Sequence, residues 1–136
     1  SDDCIFCKIV ADQLPSSKIY EDDIVLAFLD IGPVSDGHTL LIPKQHVDKI
    51  HDCPADLLAQ ISARLGKIAK AVCSAMDSDE YNVLCNNGSI AGQLVNHLHF
   101  HIISRKRGDC LFDFWPTYQY PQGKADQIAA SIRKNL

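Results

Sequence analysis

Three histidines occupy alternate positions in Asn96-His97-Leu98-His99-Phe100-His101-Ile102-Ile103. Successive side chains of a strand point to opposite faces. An extended run over residues 97–103 therefore puts His97, His99 and His101 on one face. Leu98, Phe100 and Ile102 fall on the other, which reads as the core side. Imidazoles two residues apart sit roughly 6.5–7 Å from one another at Cα. That spacing lets two of them converge on a metal, or lets a row of them line a polyanionic substrate. A neutral imidazole is also a good nucleophile near neutral pH, because its ordinary pKa is about 6.5. A solvated polar row accounts for one such histidine and poorly for three in strict alternation beside a glycine-bearing turn. The residues alone leave metal binding, catalysis or both open.

A second chemical signal lies at the start. Cys4-Ile5-Phe6-Cys7 has the two-residue spacing that lets both thiolates reach one Zn²⁺. Two ligands do not close a tetrahedron, and there is no second cysteine pair. His46 and one histidine of the strand could complete a two-sulfur, two-nitrogen set. A redox pair is the alternative. It is disfavoured by the apolar Ile5-Phe6 insert and by the lack of a βαβ pattern after it. Cys53, Cys73, Cys85 and Cys110 are scattered and read as buried small apolar residues.

The elements that must hold these residues follow from pattern. Residues 5–11 are apolar and fit a short helix or a strand, broken at Leu14-Pro15-Ser16-Ser17. Residues 24–29 and 38–42 are β-branched apolar runs of strand length, joined by a Gly- and Pro-marked loop. Residues 54–76 predict the longest helix, with Leu57, Ile61, Leu65, Ile68 and Val72 forming one apolar stripe and Pro54 in the first turn. Residues 81–85 and 97–103 predict two more strands, and the tail after Pro121 ends in a helix. Strands outnumber helices without βαβ repetition, so the fold class is α+β: an antiparallel sheet with the long helix on one face.

The 136 residues suit one domain spanning 1–136. A composition of 46% hydrophobic and 22% charged residues is that of a globular chain and excludes a disordered or coiled-coil protein. A net charge of −4 argues against direct nucleic-acid binding through bulk phosphate contacts. No apolar run reaches the ~20 residues that span a bilayer. Ser1-Asp2-Asp3 carries no signal-peptide character, so the expected setting is cytoplasmic, with no membrane partner.

The combination resembles the histidine triad (HIT) superfamily, its Hint-like branch and small bacterial-type relatives. The likeness runs from about Cys4 to Arg105, with a looser tail over 106–136. It rests on Gly92-Gln93-Leu94-Val95-Asn96 leading into the three histidines. Ile5-Phe6-Cys7-Lys8-Ile9, Ala27-Phe28-Leu29-Asp30-Ile31 and Gly37-His38-Thr39-Leu40-Leu41-Ile42-Pro43-Lys44-Gln45-His46 agree in order and spacing. The resemblance implies a homodimer whose two five-stranded sheets join. It implies hydrolysis at the α-phosphorus of a purine nucleotide, either a phosphoramidate or a dinucleoside polyphosphate, with a nucleotide-binding regulatory module of little turnover as the alternative from another class. His99 matches the family nucleophile, with His38 and His101 beside it. Asp30 matches the ribose-binding carboxylate, Asn86 and Gln93 the phosphate surroundings, and Ile5, Phe6, Phe28 and Ile31 the base pocket. In zinc-carrying members Cys4, Cys7, His46 and His97 match the ligands of one structural zinc per chain. Leu94 departs from the pattern, because many Hint-like members carry Ser or Thr there. The aromatic run Phe112-Asp113-Phe114-Trp115-Pro116, with Tyr118 and Tyr120, reads as core filling. In relatives this segment reaches towards the other subunit's pocket.

Overall fold

The computed structural model describes residues 3–136, so Ser1 and Asp2 lie outside it. Its elements are α1 (Ile5–Val10), β1 (Lys18–Glu21), β2 (Val25–Leu29), β3 (Thr39–Pro43), α2 (Ala55–Ala75), β4 (Glu80–Leu84), β5 (Phe100–Arg105) and α3 (Lys124–Lys134). The strands form one five-stranded antiparallel sheet in the order β1-β2-β3-β5-β4. The α+β class, the sheet and the long helix agree with the sequence reading, and the ambiguous segment 5–11 is helical.

Cross-strand partners share a face. Ala27, Leu41 and Phe100 lie opposite one another and pack under α2, which adds Leu57, Ile61, Ile68 and Val72. Phe28, Leu40 and His101 form the adjacent row on the other face. There Phe6 and Ile9 of α1 cover Leu26, Phe28, Leu40 and Ile42. Both faces of β2 and β3 are therefore buried, which explains why these strands are continuous apolar runs rather than alternating ones. Asp22 ties α2 to the β1–β2 turn: it accepts from Arg64 Nε at 2.6 Å and from the backbone N–H groups of Ile24 and Val25.

Four expectations need correction. The histidine strand begins at Phe100, not His97, because Leu98 N–H donates to Val47 O and His97 N–H to Val95 O instead of to the sheet. The facing alternation nevertheless persists: Leu98, Phe100 and Ile102 belong to the core under α2. Pro54 is the N-cap of α2 and not part of its first turn. Of the four scattered cysteines only Cys73 is buried, Cys53 and Cys85 are half-buried, and Cys110 is exposed. The tail aromatics do not fill the core of this chain: Phe114, Trp115 and Tyr118 are all more than 80% exposed. Among the described residues no helix is long and apolar enough to cross a membrane.

Candidate functional site

The three histidines part company at the start of β5. His97 turns to a metal-type cluster, while His99 and His101 turn to a cleft.

The cluster brings Cys4, Cys7, His46 and His97 together with one donor atom each. Cys4 Sγ lies 3.3 Å from His97 Nδ1, Cys7 Sγ lies 3.3 Å from His46 Nδ1 and 3.6 Å from His97 Nδ1, and the two Nδ1 atoms are 3.3 Å apart. Zinc bonds of ~2.0–2.1 Å to nitrogen and ~2.3 Å to sulfur give tetrahedral edges of about 3.3 Å between nitrogens and about 3.6 Å from sulfur to nitrogen. The nitrogen–nitrogen edge and the Cys7–His97 edge have those lengths, and the other two sulfur–nitrogen edges are about 0.3 Å shorter. His97 Nε2 donates to Pro43 O at 2.8 Å. That bond leaves the Nδ1 lone pair facing the other three donors, the outer-sphere support expected of a ligand histidine. Burial pushes the His97 imidazole down to about 4, with His46 and His99 beside it adding to the effect. The ring is therefore held neutral, as a ligand must be.

The cleft holds about 720 Å³ on the α1 side of the sheet. Ile5, Phe6, Ile9, Phe28 and Leu40 make an apolar wall, and Asp30, His99 and His101 supply its polar end. Ile31 and Leu94 stand almost fully exposed at its rim. Leu14 and Pro15, legible in sequence only as a chain break, also line it. A second apolar cleft of about 500 Å³ between β1 and α2 has no histidine or carboxylate in its walls, so the chemistry belongs to the first.

Hydrogen bonding assigns the ring protons. His99 Nδ1 donates to His97 O at 2.7 Å, so in the neutral ring the free lone pair sits on Nε2. Val34 N–H donates to His38 Nδ1 at 3.1 Å, so His38 carries its proton on Nε2. That proton goes to His101 Nδ1 at 2.9 Å, so His101 is protonated on Nε2. His101 Nε2 is buried and has no protein partner, a donor kept for something else. Burial, helped by His99 and His38, pushes His101 down to about 4. Burial also lowers His38, against the opposing pull of Asp30. Asp30 Oδ2 stands 3.6 Å from His38 Nε2, and its Oδ1 accepts from Gly32 N–H at 2.8 Å. The rings of His99 and His101 lie 5.0 Å apart, and Phe6 meets His99 edge-on at 5.1 Å.

Two residues of the expected phosphate surroundings sit differently. Asn86 Nδ2 reaches Gly92 O at 3.4 Å at the edge of the cleft. Gln93 is buried, does not line the cleft, and spends its amide on Gly88 N–H and on Asp48. Asp48, Pro43 O and Val34 N–H were missed from sequence. Two of the three act through the backbone, so residue type carries no signal of them.

The family model for the HIT domain matches residues 11–108. The chain is 46% identical over 134 residues to adenosine 5'-monophosphoramidase HNT1 of Saccharomyces cerevisiae, covering 98% of this chain and 82% of that one. It is 39% identical over 137 residues to adenylylsulfatase HINT3 of Arabidopsis thaliana, covering 98% and 70%. The crystal structure of a HIT family member from Bacillus subtilis superposes with a TM-score of 0.91 at 44% identity, covering 98% of this chain and 97% of that chain.

Proposed function

The chain belongs to the HIT domain family, and within it we propose that the protein hydrolyses purine nucleoside phosphoramidates at the α-phosphorus through a nucleotidyl-histidine. The observation that carries this reading is the His99 tautomer: one ring nitrogen is tied to a carbonyl and the other is free beside an apolar cleft. The name adenosine 5'-monophosphoramidase on a relative 46% identical supports the substrate class.

His99 Nε2 forms a bond to phosphorus as the bond from phosphorus to the amine breaks. The departing nitrogen takes the electron pair and a proton from water. Water's hydroxyl then attacks phosphorus, the His99 bond breaks, and the nucleotide leaves, so one water is consumed in total. His101 is neutral and has no net proton to give. Its Nε2–H, backed by His38, stabilises charge on the phosphoryl oxygens. The base lies against Ile5, Phe6, Phe28 and Ile31. Asn86 and the backbone of the 88–94 loop border the phosphate and make an uncharged cradle compatible with the acidic net charge.

Asp30 accepts from the ribose hydroxyls with the oxygen lone pairs that Gly32 leaves free. A hydrogen bond to a charged group contributes about 1.5–3 kcal/mol, or ~10–100-fold. Wild type should disfavour a 2'-deoxy substrate by that factor in kcat/KM, and Asp30→Asn should lose most of the discrimination. Equal discrimination by the two proteins would remove Asp30 from this role.

Leu94 favours a second reading, hydrolysis of a dinucleoside polyphosphate. Its side chain stands at the rim and offers no proton to a poor amine leaving group, whereas a nucleotide departs with its charge already spread. Leu94→Ser should therefore raise phosphoramidate turnover severalfold relative to that of diadenosine tetraphosphate. An unchanged or lower ratio counts against the argument.

Cys4, Cys7, His46 and His97 are proposed to hold one structural zinc per chain, since all four positions are filled by protein and none is left for water. A second copy is proposed to pair along the edge strand β4, where Tyr81 and Val83 are exposed and, among the described residues, no strand bonds beyond it.

A further inference from the structure

We infer that Gln93 is a positioning residue rather than a phosphate ligand. Its buried amide clamps the loop beside the phosphate to the segment that carries His46. The inference rests on the reading of the cleft given above.

Gln93 is 3% exposed, and both ends of its amide are committed. Oε1 accepts from Gly88 N–H at 2.8 Å. Nε2 donates to Asp48 O at 2.8 Å and to Asp48 Oδ1 at 3.2 Å. Its own backbone N–H closes the loop by donating to Gly88 O at 3.0 Å. No N–H of this residue is left to donate to a phosphate.

Each end of the clamp is anchored to chemistry. The loop it closes runs from Gly88 to Gly92, and Gly92 and Leu94 line the cleft beside His99 and His101. Gly88 and Gly92 both have positive φ, at 100° and 99°. A Cβ at Gly92 would come within 3.1 Å of Asn86 Nδ2. Glycine reaches both conformations without strain but gives up the most backbone freedom in holding them, so the loop gains order from an outside tether. The support comes from residues 46–48. His46 faces the metal-type quartet, Val47 O accepts from Leu98 N–H at 2.7 Å, and Asp48 receives Gln93. Three consecutive residues thus bond His97, Leu98 and Gln93. The quartet and the phosphate-side loop share one strap, and Gln93 is its outer rivet.

A buried amide with three hydrogen bonds cannot be replaced piecemeal without orphaning a partner. Gln93→Leu orphans Gly88 N–H and loosens the loop. Gln93→Glu keeps an acceptor for Gly88 but sets a carboxylate against Asp48. Asp48→Ala removes only the longer of the two bonds at that end.

Amide hydrogen exchange, AMP binding and steady-state kinetics with adenosine phosphoramidate test the inference on these variants. In Gln93→Leu the Gly88 amide should exchange at least about tenfold faster while the amides of Leu41 and Ile102 are unchanged. The kcat should fall about 10–100-fold, the scale of a small misplacement of reacting groups. AMP affinity should stay within a fewfold of wild type, and Gln93→Glu should retain the Gly88 protection that Gln93→Leu loses. Adding Asp48→Ala to Gln93→Leu should cost nothing more. An unchanged Gly88 exchange rate overturns the inference. So does a large loss of AMP affinity with kcat preserved, which would make Gln93 a direct ligand. The exchange and binding arms need no turnover, so they decide the clamp even if wild type hydrolyses neither substrate and the functional reading falls.

Discussion

His99→Ala should lower turnover of every substrate by about 10⁴-fold or more, the scale seen when a covalent nucleophile is removed. That corresponds to about 5.5 kcal/mol of activation free energy. The other imidazoles cannot substitute. His38 Nδ1 is taken by Val34 N–H, His101 Nδ1 by His38, and His97 faces the cysteines. Among the described residues, only His99 in its neutral form turns a ring lone pair to the cleft. The loss should lie in kcat, because the apolar wall and Asp30 hold the nucleotide without it, and AMP affinity should change only a fewfold. In wild type, labelled nucleotide should be trapped on the protein by alkaline quenching and released by acid, as a phosphorus–nitrogen bond requires. The variant should trap none. Turnover within tenfold of wild type would refute covalent catalysis at this residue.

The second large effect concerns the quartet. Protein purified without a metal-affinity column should carry about one zinc per chain by elemental analysis. Cys7→Ser should bring this near zero. A metal bound at a hundredfold excess over its Kd adds about 2.7 kcal/mol to stability. Removal by a chelator, or Cys7→Ser, should then lower Tm by about 10 °C. The cleft should suffer too. Phe6, between the two cysteines, packs edge-on against both His97 and His99 with ring centroids 5.9 and 5.1 Å away. A loosened α1 should raise KM more than it lowers kcat. Metal-free protein with an unmoved Tm would return the two cysteines to ordinary packing.

How far the sequence showed this site depended on where each signal was written. Helix α2 was legible because periodicity and residue type agree over its length, and β2 and β3 because each is an unbroken apolar run of strand length bounded by turn residues. The grouping of His97, His99 and His101 survived the late start of β5, because extended backbone alternates its side chains whether or not it is paired in a sheet. Which histidine does what was not legible from spacing. The division depends on Pro43 O, His97 O and Val34 N–H, backbone atoms that any residue offers. The inward turn of Gln93 was hidden for a related reason. A polar side chain next to a catalytic strand suggests a ligand, and its inward turn is decided by Asp48, 45 positions away. For the tail aromatics core filling and a reach towards another subunit's pocket were both open from sequence, and their exposure excludes the first within this chain.

The six residues of α1 carry a lesson about the order of assembly. A helix of that length does not persist by itself in water. Its fixed points are Phe6 on the sheet and Cys4 beside His97, a contact 93 positions along the chain. During synthesis these residues emerge well before the histidine segment, and their seat exists only after that segment has been made. The wall of the cleft is thus the last part to close, and the chain is without a competent pocket until its sheet is complete.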